Sequence, residues 1–220
     1  MRANTRSFTL LEAVVSSAIL ALIVGVALGS LAKTQEGVGD SLGIGDTAQR
    51  ANSLVLDLTR ELRGAGVFVL GGAALSPGGN FTNVTYQRVV GFNFSSTSPS
   101  FSNRKRMIRF VYDAGEVGAG SGDNVDNDRD GLVDEGRLEL LEDTNLDGTV
   151  AGNEVLAVLA RNVLGGNAIR FRFVPSGTAT PDLTQDTELL IDCTLAQRLP
   201  KDGRIHREPR TIRIALRNTP

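Results

Sequence analysis

The feature that most constrains this chain is an uncharged run of twenty residues near its N-terminus, Ala13 to Ala32. As an α-helix, a run of that length spans about 30 Å, which matches the hydrocarbon core of a bilayer. Arg2 and Arg6 precede the run, whereas Lys33 is soon followed by acids. By the positive-inside rule, the N-terminus is predicted to be cytoplasmic and the remainder of the chain to lie outside the membrane.

Two interpretations of this segment compete. As a secretory signal, its basic residues would form the n-region and Ser30-Leu31-Ala32 the cleavage site. The apolar region is longer than such signals use, and it begins directly after an acid, Glu12. The other interpretation is a membrane helix that the mature protein keeps.

The residues before the run favour the second interpretation. Ser-Phe-Thr-Leu-Leu-Glu, from Ser7 to Glu12, resembles the N-terminus of the type IV pilin and type II secretion pseudopilin superfamily. There a short basic leader ends in a small residue, usually glycine, and Phe-Thr-Leu-Ile-Glu and an apolar helix follow. The resemblance implies a leader of residues 1–7, cleavage between Ser7 and Phe8 by a prepilin peptidase, and N-methylation of Phe8. Serine stands where glycine is the family's rule.

Glu12 is costly in such a helix, because a charge at the centre of a membrane helix costs about 2.5–3.5 kcal/mol on insertion scales. The resemblance implies that the glutamate pairs with the new terminal amine of a neighbouring subunit and so fixes the axial register of a filament. The alternative is a glutamate at the membrane interface whose carboxylate reaches water. Gly25 and Gly29 form a G-x-x-x-G pair that would let neighbouring helices approach closely. The alternative is that they are ordinary glycines of a membrane helix, or that they soften the helix locally. Residues 8–33 are therefore predicted to be a transmembrane and assembly helix.

Beyond the membrane segment, four glycines between residues 36 and 45 predict a flexible break over residues 34–45. A second helix is predicted from Asp46 or Thr47 to Gly64. Its apolar stripe consists of Ala51, Leu54, Val55, Leu58 and Leu62.

The rest of the chain reads as strands. Candidates are Val67–Leu70, Val84–Val90, Arg106–Tyr112, Ala168–Val174 and the alternating stretch Ile212–Leu216. The late strands alternate apolar residues with arginines, which predicts half-buried antiparallel strands with a basic outer face. The expected class is α+β, and the resemblance implies a pilin-like fold in which residues 46–220 form an extracytoplasmic domain. The late strands also resemble the tails of W-type minor pilins and J-type minor pseudopilins.

Acidic residues are concentrated between Asp123 and Glu154, where eleven acids meet two bases and leave 14 acids and 21 bases elsewhere. The segment contains two calcium-loop patterns. In the second, Asp143, Asn145, Asp147, Thr149 and Glu154 occupy positions 1, 3, 5, 7 and 12, with glycine at position 6. Side-chain oxygens at alternate positions converge on a hard cation, and a bidentate acid closes the shell. This loop is predicted to bind Ca²⁺ as a structural site outside the cytoplasm; the alternative, for both copies, is a solvated acidic loop.

The first copy has Asp126, Asp128 and Asp130 at positions 1, 3 and 5, with Leu132 at the carbonyl position. Arg137 occupies position 12 and cannot be a ligand, so Asp134 or Glu135 would have to close this site. The sequences flanking the loops, R-L-E-L-L-E and V-L-A-V-L-A, are interpreted as strands, or as a strand and a short helix.

Single residues limit the chemistry. Cys193 is the only cysteine and is predicted to be buried in a strand, and the single histidine excludes a His-rich metal site within one chain. No set of nucleophile, base and orienting group stands out, so an enzyme is not expected. The leading hypothesis is a minor pilin or pseudopilin that primes or caps a filament, with other pilins, the prepilin peptidase and an inner-membrane assembly platform as partners. The alternative is a filament-borne, calcium-dependent adhesin or DNA-uptake module, although the scarcity of aromatic residues disfavours nucleic-acid binding.

Overall fold

The computed structural model describes residues 9–71, 81–95, 98–113, 125–165, 169–174, 188–201 and 203–216. These residues form one long helix followed by an antiparallel β-sheet that curls around the C-terminal part of the helix. The α+β class predicted from the sequence is confirmed.

Helix α1 runs from Leu10 to Arg63 without interruption, and Gly64 caps its C-terminus. Residues 10–36 are exposed, and the helix is long and apolar enough there to span a membrane. Further along, Ala51, Leu54, Leu58 and Leu62 are buried against the sheet. The stripe predicted for a second helix is therefore correct, but it belongs to the same helix as the apolar run.

The predicted break at residues 34–45 does not interrupt the helix. A glycine costs about 1 kcal/mol relative to alanine inside a helix, which a cooperative helix with good flanking segments can absorb. The connection between β7 and β8 also contacts this segment, since the backbone N–H of Lys201 lies 3.2 Å from Oδ1 of Asp40. Gly43 is buried because Leu199 and Gln197 pack over it. The packed part of the helix thus begins near Gly39 and not at Asp46.

Eight strands follow the helix. They are β1 (Ala65–Gly71), β2 (Asn83–Asn93), β3 (Ser98–Tyr112), β4 (Glu135–Glu142), β5 (Val155–Leu164), β6 (Arg170–Val174), β7 (Glu188–Arg198) and β8 (Ile205–Ala215). The order in the sheet is β1-β2-β3-β4-β5-β7-β6, and β8 pairs with β7. Both sequences flanking the second acidic loop are strands, β4 and β5.

The core lies between the helix stripe and the inward residues of the sheet. Phe171 and Phe173 of β6 and Ile212 and Ile214 of β8 point into it, as the alternation predicted. Cys193 of β7 is 1% exposed and belongs to the same core. The two acidic loops lie at opposite ends of β4, outside this core.

Candidate functional site

The helix N-terminus places Glu12 in a local hydrogen-bond arrangement. Thr9 is the N-cap residue, and its hydroxyl oxygen accepts a hydrogen bond from the N–H of Glu12 at 3.3 Å. In return, Oε2 of Glu12 accepts from the backbone N–H of Thr9 at 3.0 Å. This capping box starts the helix and gives Glu12 an intrachain role that the sequence analysis missed, although the T-x-x-E spacing signals it. Ser7 and Phe8, the predicted processing site, lie outside the described residues.

The membrane-length part of α1 has no partner among the described residues. Gly25 and Gly29 lie on it with no atom within 4 Å of where a Cβ would stand. Large apolar side chains around them are exposed, including Leu22 at 68% and Leu28 at 62%. This surface is available to lipid or to other helices.

The second acidic loop has the internal bonds of a cation loop. Oδ2 of Asp143 accepts from the N–H of Gly148 at 3.0 Å, and Oδ1 of Asn145 accepts from the N–H of Asp147 at 2.9 Å. Oδ1 of Asp147 accepts from the N–H of Thr149 at 2.8 Å. Gly148 has a φ of 86°, which suits glycine at the sixth position. The side chains at positions 1, 3 and 5 are therefore turned into the loop.

The first acidic loop repeats these bonds position by position. Asp126 accepts from the N–H of Gly131 at 3.0 Å, Asp128 from that of Asp130 at 3.0 Å, and Asp130 from that of Leu132 at 2.7 Å. Gly131 also has a positive φ, 96°. Carboxylate oxygens of the three aspartates lie within 4.8 Å of one another. Two segments of different sequence thus adopt the same turn.

In both loops the first aspartate has one buried oxygen that makes no hydrogen bond. These atoms are Oδ1 of Asp126 and Oδ1 of Asp143, and the whole Asp143 residue is 0% exposed. A buried carboxylate oxygen without a partner is costly, because the charge has lost water and gained nothing. The other oxygen of each group bonds to the glycine at position 6, so the carboxylate faces the loop interior. A cation held in each loop would satisfy this atom.

The residues predicted to close the two sites differ in their surroundings. Oε1 of Glu154 accepts from the N–H of Thr144 at 2.9 Å, and Oε2 accepts from that of Ala151 at 2.8 Å. These bonds lower the pKa of Glu154 and keep it ionised, and the bond from Ala151 has the largest effect. Asp134 and Glu135 are buried beside the first loop but are not part of its cluster of three aspartates. Leu132 is likewise buried, at 2% exposed.

Hydrogen bonds also hold the acid of Asp147 in its charged form. Its pKa is lowered first by the hydroxyl and then by the N–H of Thr149. Each carboxylate oxygen can accept more than one hydrogen bond or ligand, so these bonds do not exhaust its capacity. The second loop therefore presents ionised carboxylates at positions 5 and 12 and an amide oxygen at position 3, beside the side chain of Asp143 at position 1.

Not all acids of the segment belong to the loops. Glu139 of β4 accepts from Nε and Nη2 of Arg109 at 3.0 and 2.8 Å and from Nε of Arg137 at 2.8 Å. Glu142 pairs with two arginines of β3: Nη1 of Arg104 lies 2.8 Å and Nη2 of Arg106 lies 2.5 Å from its carboxylate oxygens. These pairs form a charge ladder between β3 and β4 that was not predicted from the sequence. Its signal was the basic stretch R-K-R-M-I-R set against R-L-E-L-L-E.

The ladder connects the second loop to α1. Nη1 of Arg106 lies 2.6 Å from Oε1 of Glu61 on the helix, and the hydroxyl of Tyr86 donates to the same oxygen at 2.9 Å. Asp143, which directly follows Glu142, donates its N–H to the carbonyl of Lys105 at 2.9 Å. The ammonium of Lys105 in turn donates to the carbonyl of Gly148 at 2.7 Å. The loop, two strands and the last turns of the helix are thus one bonded unit.

The predicted basic face of the late strands is partly neutralised. Arg172 lies 3.6 Å from Asp192, and Arg213 lies 3.4 Å from Glu188. Arg210 pairs with Glu208 on β8. These pairs lower the positive potential available to a polyanion. Burial, followed by the charge of Asp192, raises the pKa of Cys193 to about 12, so this thiol is not a reactive thiolate.

Comparison with protein-family models, with curated proteins and with solved structures finds no match for this chain.

Proposed function

We propose that this protein is a membrane-anchored structural subunit of a type IV pilus-like filament, a minor pilin or pseudopilin that primes or caps assembly. The observation that carries the proposal is the division of one continuous helix into two halves. Residues 10–36 are exposed, whereas Ala51, Leu54, Leu58 and Leu62 pack against the sheet. The first half offers an apolar surface that water cannot cover favourably, and its length fits a bilayer.

Such a helix has two stable environments, lipid before assembly and the helices of other subunits afterwards. Gly25 and Gly29 leave room for close helix packing in the second environment. Glu12 would exchange its bond with Thr9 for a bond with the terminal amine that cleavage creates on a neighbour. A charged pair in an apolar surrounding is far less costly than a lone carboxylate. The prepilin peptidase and an inner-membrane assembly platform are the partners that this cycle requires.

Calcium fits the two acidic loops, since hard oxygen ligands surround a buried oxygen that lacks a partner in each. Asp143, Asn145, Asp147, the carbonyl of Thr149 and Glu154 would hold one ion. Asp126, Asp128, Asp130 and the carbonyl of Leu132, with Asp134 or Glu135, would hold the other. When bound, the ion supplies positive charge that offsets the repulsion among the acids and stiffens both ends of β4.

The assembly role is tested by co-expression with a prepilin peptidase and the filament genes of the producing bacterium. Mass spectrometry of the mature chain should find an N-methylated Phe8 at its N-terminus. Glu12→Gln should leave processing intact and reduce recovery of the chain in sheared filaments by at least about tenfold, as an unpaired amine remains. Glu36→Gln, at an exposed acid on the same helix outside the apolar run, is the matched control and should assemble normally.

The adhesin or DNA-uptake alternative predicts a different outcome of deleting the gene. Filaments would persist in normal number while surface or DNA binding is lost. The ion pairs of Arg172, Arg210 and Arg213 weigh against DNA as the ligand, because they neutralise part of the positive charge on the late strands. Loss or strong reduction of filaments on deletion supports the assembly role.

A further inference from the structure

Among the described residues, strand β5 is paired along its whole length on one side only. On that side it pairs with β4 from Val155 to Leu164. On the other side it meets β7 at a single position, Val163 opposite Leu195. Among the described residues, no strand pairs with the outer side of residues 155–161. The sheet is therefore open between β5 and β7, and part of a strand edge is left free inside it.

The free part of β5 is apolar and exposed. Val155, Leu156 and Val158 are 42%, 55% and 40% exposed. Strand edges that face solvent usually carry charges, prolines or other features that block pairing with another chain. Residues 155–160 contain none of these, since they read V-L-A-V-L-A. This composition is typical of a strand that is paired with a neighbour on both sides.

A cleft of about 490 Å³ runs beside this edge, between β5 and the middle of α1. Its β5 wall includes Val158, Leu159 and Ala160, and Leu195 of β7 also lines it. The helix contributes polar residues to the other wall, namely Asp46, Gln49, Arg50 and Ser53. The volume lies within the range of ligand-binding clefts, and the two walls require an occupant with an apolar and a polar side.

The charges in the cleft favour an occupant that carries a carboxylate. Arg50 is paired with Asp46, with Nη2 and Oδ2 2.6 Å apart. Arg161, at the end of the free edge, is exposed and has no ion pair among the described residues. A carboxylate on the occupant, opposite Arg161, would complete the charge balance.

We propose that this edge binds an extended, acidic segment of another polypeptide, which adds to β5 as a strand. Main-chain N–H and C=O groups repeat along the edge, and only another extended backbone matches that repeat. Lipid chains have no such groups. A second copy of β5 fits less well, because it carries its own helix beside the edge and cannot enter a cleft that lies between a strand and a helix. The inference stands independently of the filament proposal.

The experiment uses the full chain in detergent micelles and a fluorescent probe, the capped heptapeptide Glu-Val-Thr-Val-Thr-Val-Glu. Saturable binding is expected, together with slower hydrogen exchange of amides in residues 155–161. The same peptide with N-methyl groups on alternate amides should bind at least about tenfold more weakly, because it cannot complete the ladder. A lysine version, Lys-Val-Thr-Val-Thr-Val-Lys, should bind about two- to fivefold more weakly than the acidic peptide.

Arg161→Glu should reverse the preference between the acidic and lysine peptides, which a merely structural change would not do. Arg207→Glu, at an exposed arginine of β8, is the matched control and should leave the order unchanged. Absence of peptide binding, or equal binding of the N-methylated peptide, would overturn strand addition. Hydrogen exchange of the chain without peptide is a further check. If the amides of residues 155–161 exchange as slowly as those of β4, the edge is already covered and the proposal is overturned. Protection that rises with the concentration of the chain would assign the edge to a second copy and overturn the proposed occupant.

Discussion

Arg104 and Arg106 bond to the same carboxylate but should differ strongly in their contribution to stability. Both contact Glu142, yet the side chain of Arg106 is 15% exposed and that of Arg104 is 50% exposed. Arg106 also binds Glu61, which is 17% exposed and lies on α1. Replacing either arginine by methionine keeps the apolar stem and removes the charge. The comparison therefore sets a buried arginine with two carboxylate partners against an exposed arginine with one.

The magnitude for Arg106→Met follows from the groups left behind. Removing one member of a buried ion pair costs about 3–5 kcal/mol. Here Glu142 keeps Arg104 and Glu61 keeps the Tyr86 hydroxyl, so we expect a cost below that range, about 2–3 kcal/mol. Arg104→Met removes an exposed pair and should cost about 0.2–1 kcal/mol.

The assay is urea unfolding of a fragment from Thr34 to Pro220, which keeps every contact described between α1 and the sheet. Circular dichroism should report a loss of free energy of unfolding for Arg106→Met at least twice that for Arg104→Met. Adding Glu61→Gln to Arg106→Met should recover about 1 kcal/mol, because an uncompensated buried charge is then removed. Equal effects of the two single changes, or a further loss on adding Glu61→Gln, would refute this account of the ladder.

Four further predictions use the same fragment. Calorimetry should detect Ca²⁺ binding that Asp143→Asn weakens at least about tenfold, since its carboxylate fills the first ligand position; unchanged binding would remove the second loop as a site. Burial raises the pKa of Glu139, but hydrogen bonds from its two arginine partners outweigh burial and the net shift is downward. Its ionised form therefore stabilises the fold at pH values above the ordinary glutamate pKa of about 4.3. The difference in free energy of unfolding between wild type and Glu139→Gln should shrink as the pH falls below that value. A difference that stays constant with pH would contradict this prediction. Gly45→Ala should raise stability by about 1 kcal/mol if the helix is continuous there, as nothing lies within 4 Å of the added Cβ, whereas a true break predicts no gain. Gly136→Ala should prevent folding or cost more than about 3 kcal/mol, because its Cβ would lie 2.2 Å from the carbonyl oxygen of Val111; normal expression and stability would show that the backbone there yields.

The sequence was sufficient wherever a local period or a fixed spacing decides the structure. The helix stripe from Ala51 to Leu62 and the alternation in β6 follow from burial on one face, and both are confirmed. The internal bonds of the two acidic loops also match their spacing, since Asx turns between neighbouring residues are local. Whether these loops bind calcium stays a prediction.

The sequence was insufficient where the decision depends on distant residues. The charge ladder could not be identified before β3 and β4 were known to be neighbours, because Arg106 and Glu142 are far apart in the chain. The open side of β5 could not be predicted from the sequence for the same reason, because the curl of the whole sheet decides which strands are neighbours. The glycine-rich segment misled because glycine lowers helix propensity only by a limited amount, and the flanking helix and the contact with Lys201 compensate.

Because α1 is continuous, bending between the membrane segment and the sheet domain is restricted to a short part of the helix. Contacts with the sheet begin at Gly39, whose Cβ position lies 3.5 Å from Cγ of Pro200, and at Asp40, which accepts from Lys201. The uncharged run ends at Ala32. Residues 33–38 are therefore the only turns of the described helix held neither by the sheet domain nor, in a membrane, by lipid. They include Gly37, where an added Cβ would meet nothing within 4 Å outside the helix backbone. Bending of the head relative to the membrane is expected within these six residues, because contacts with the chain that follows β7 begin at Gly39 and Asp40. Under the proposed function, this freedom would let the helix leave the bilayer, and neighbouring helices would remove it by enclosing the same turns.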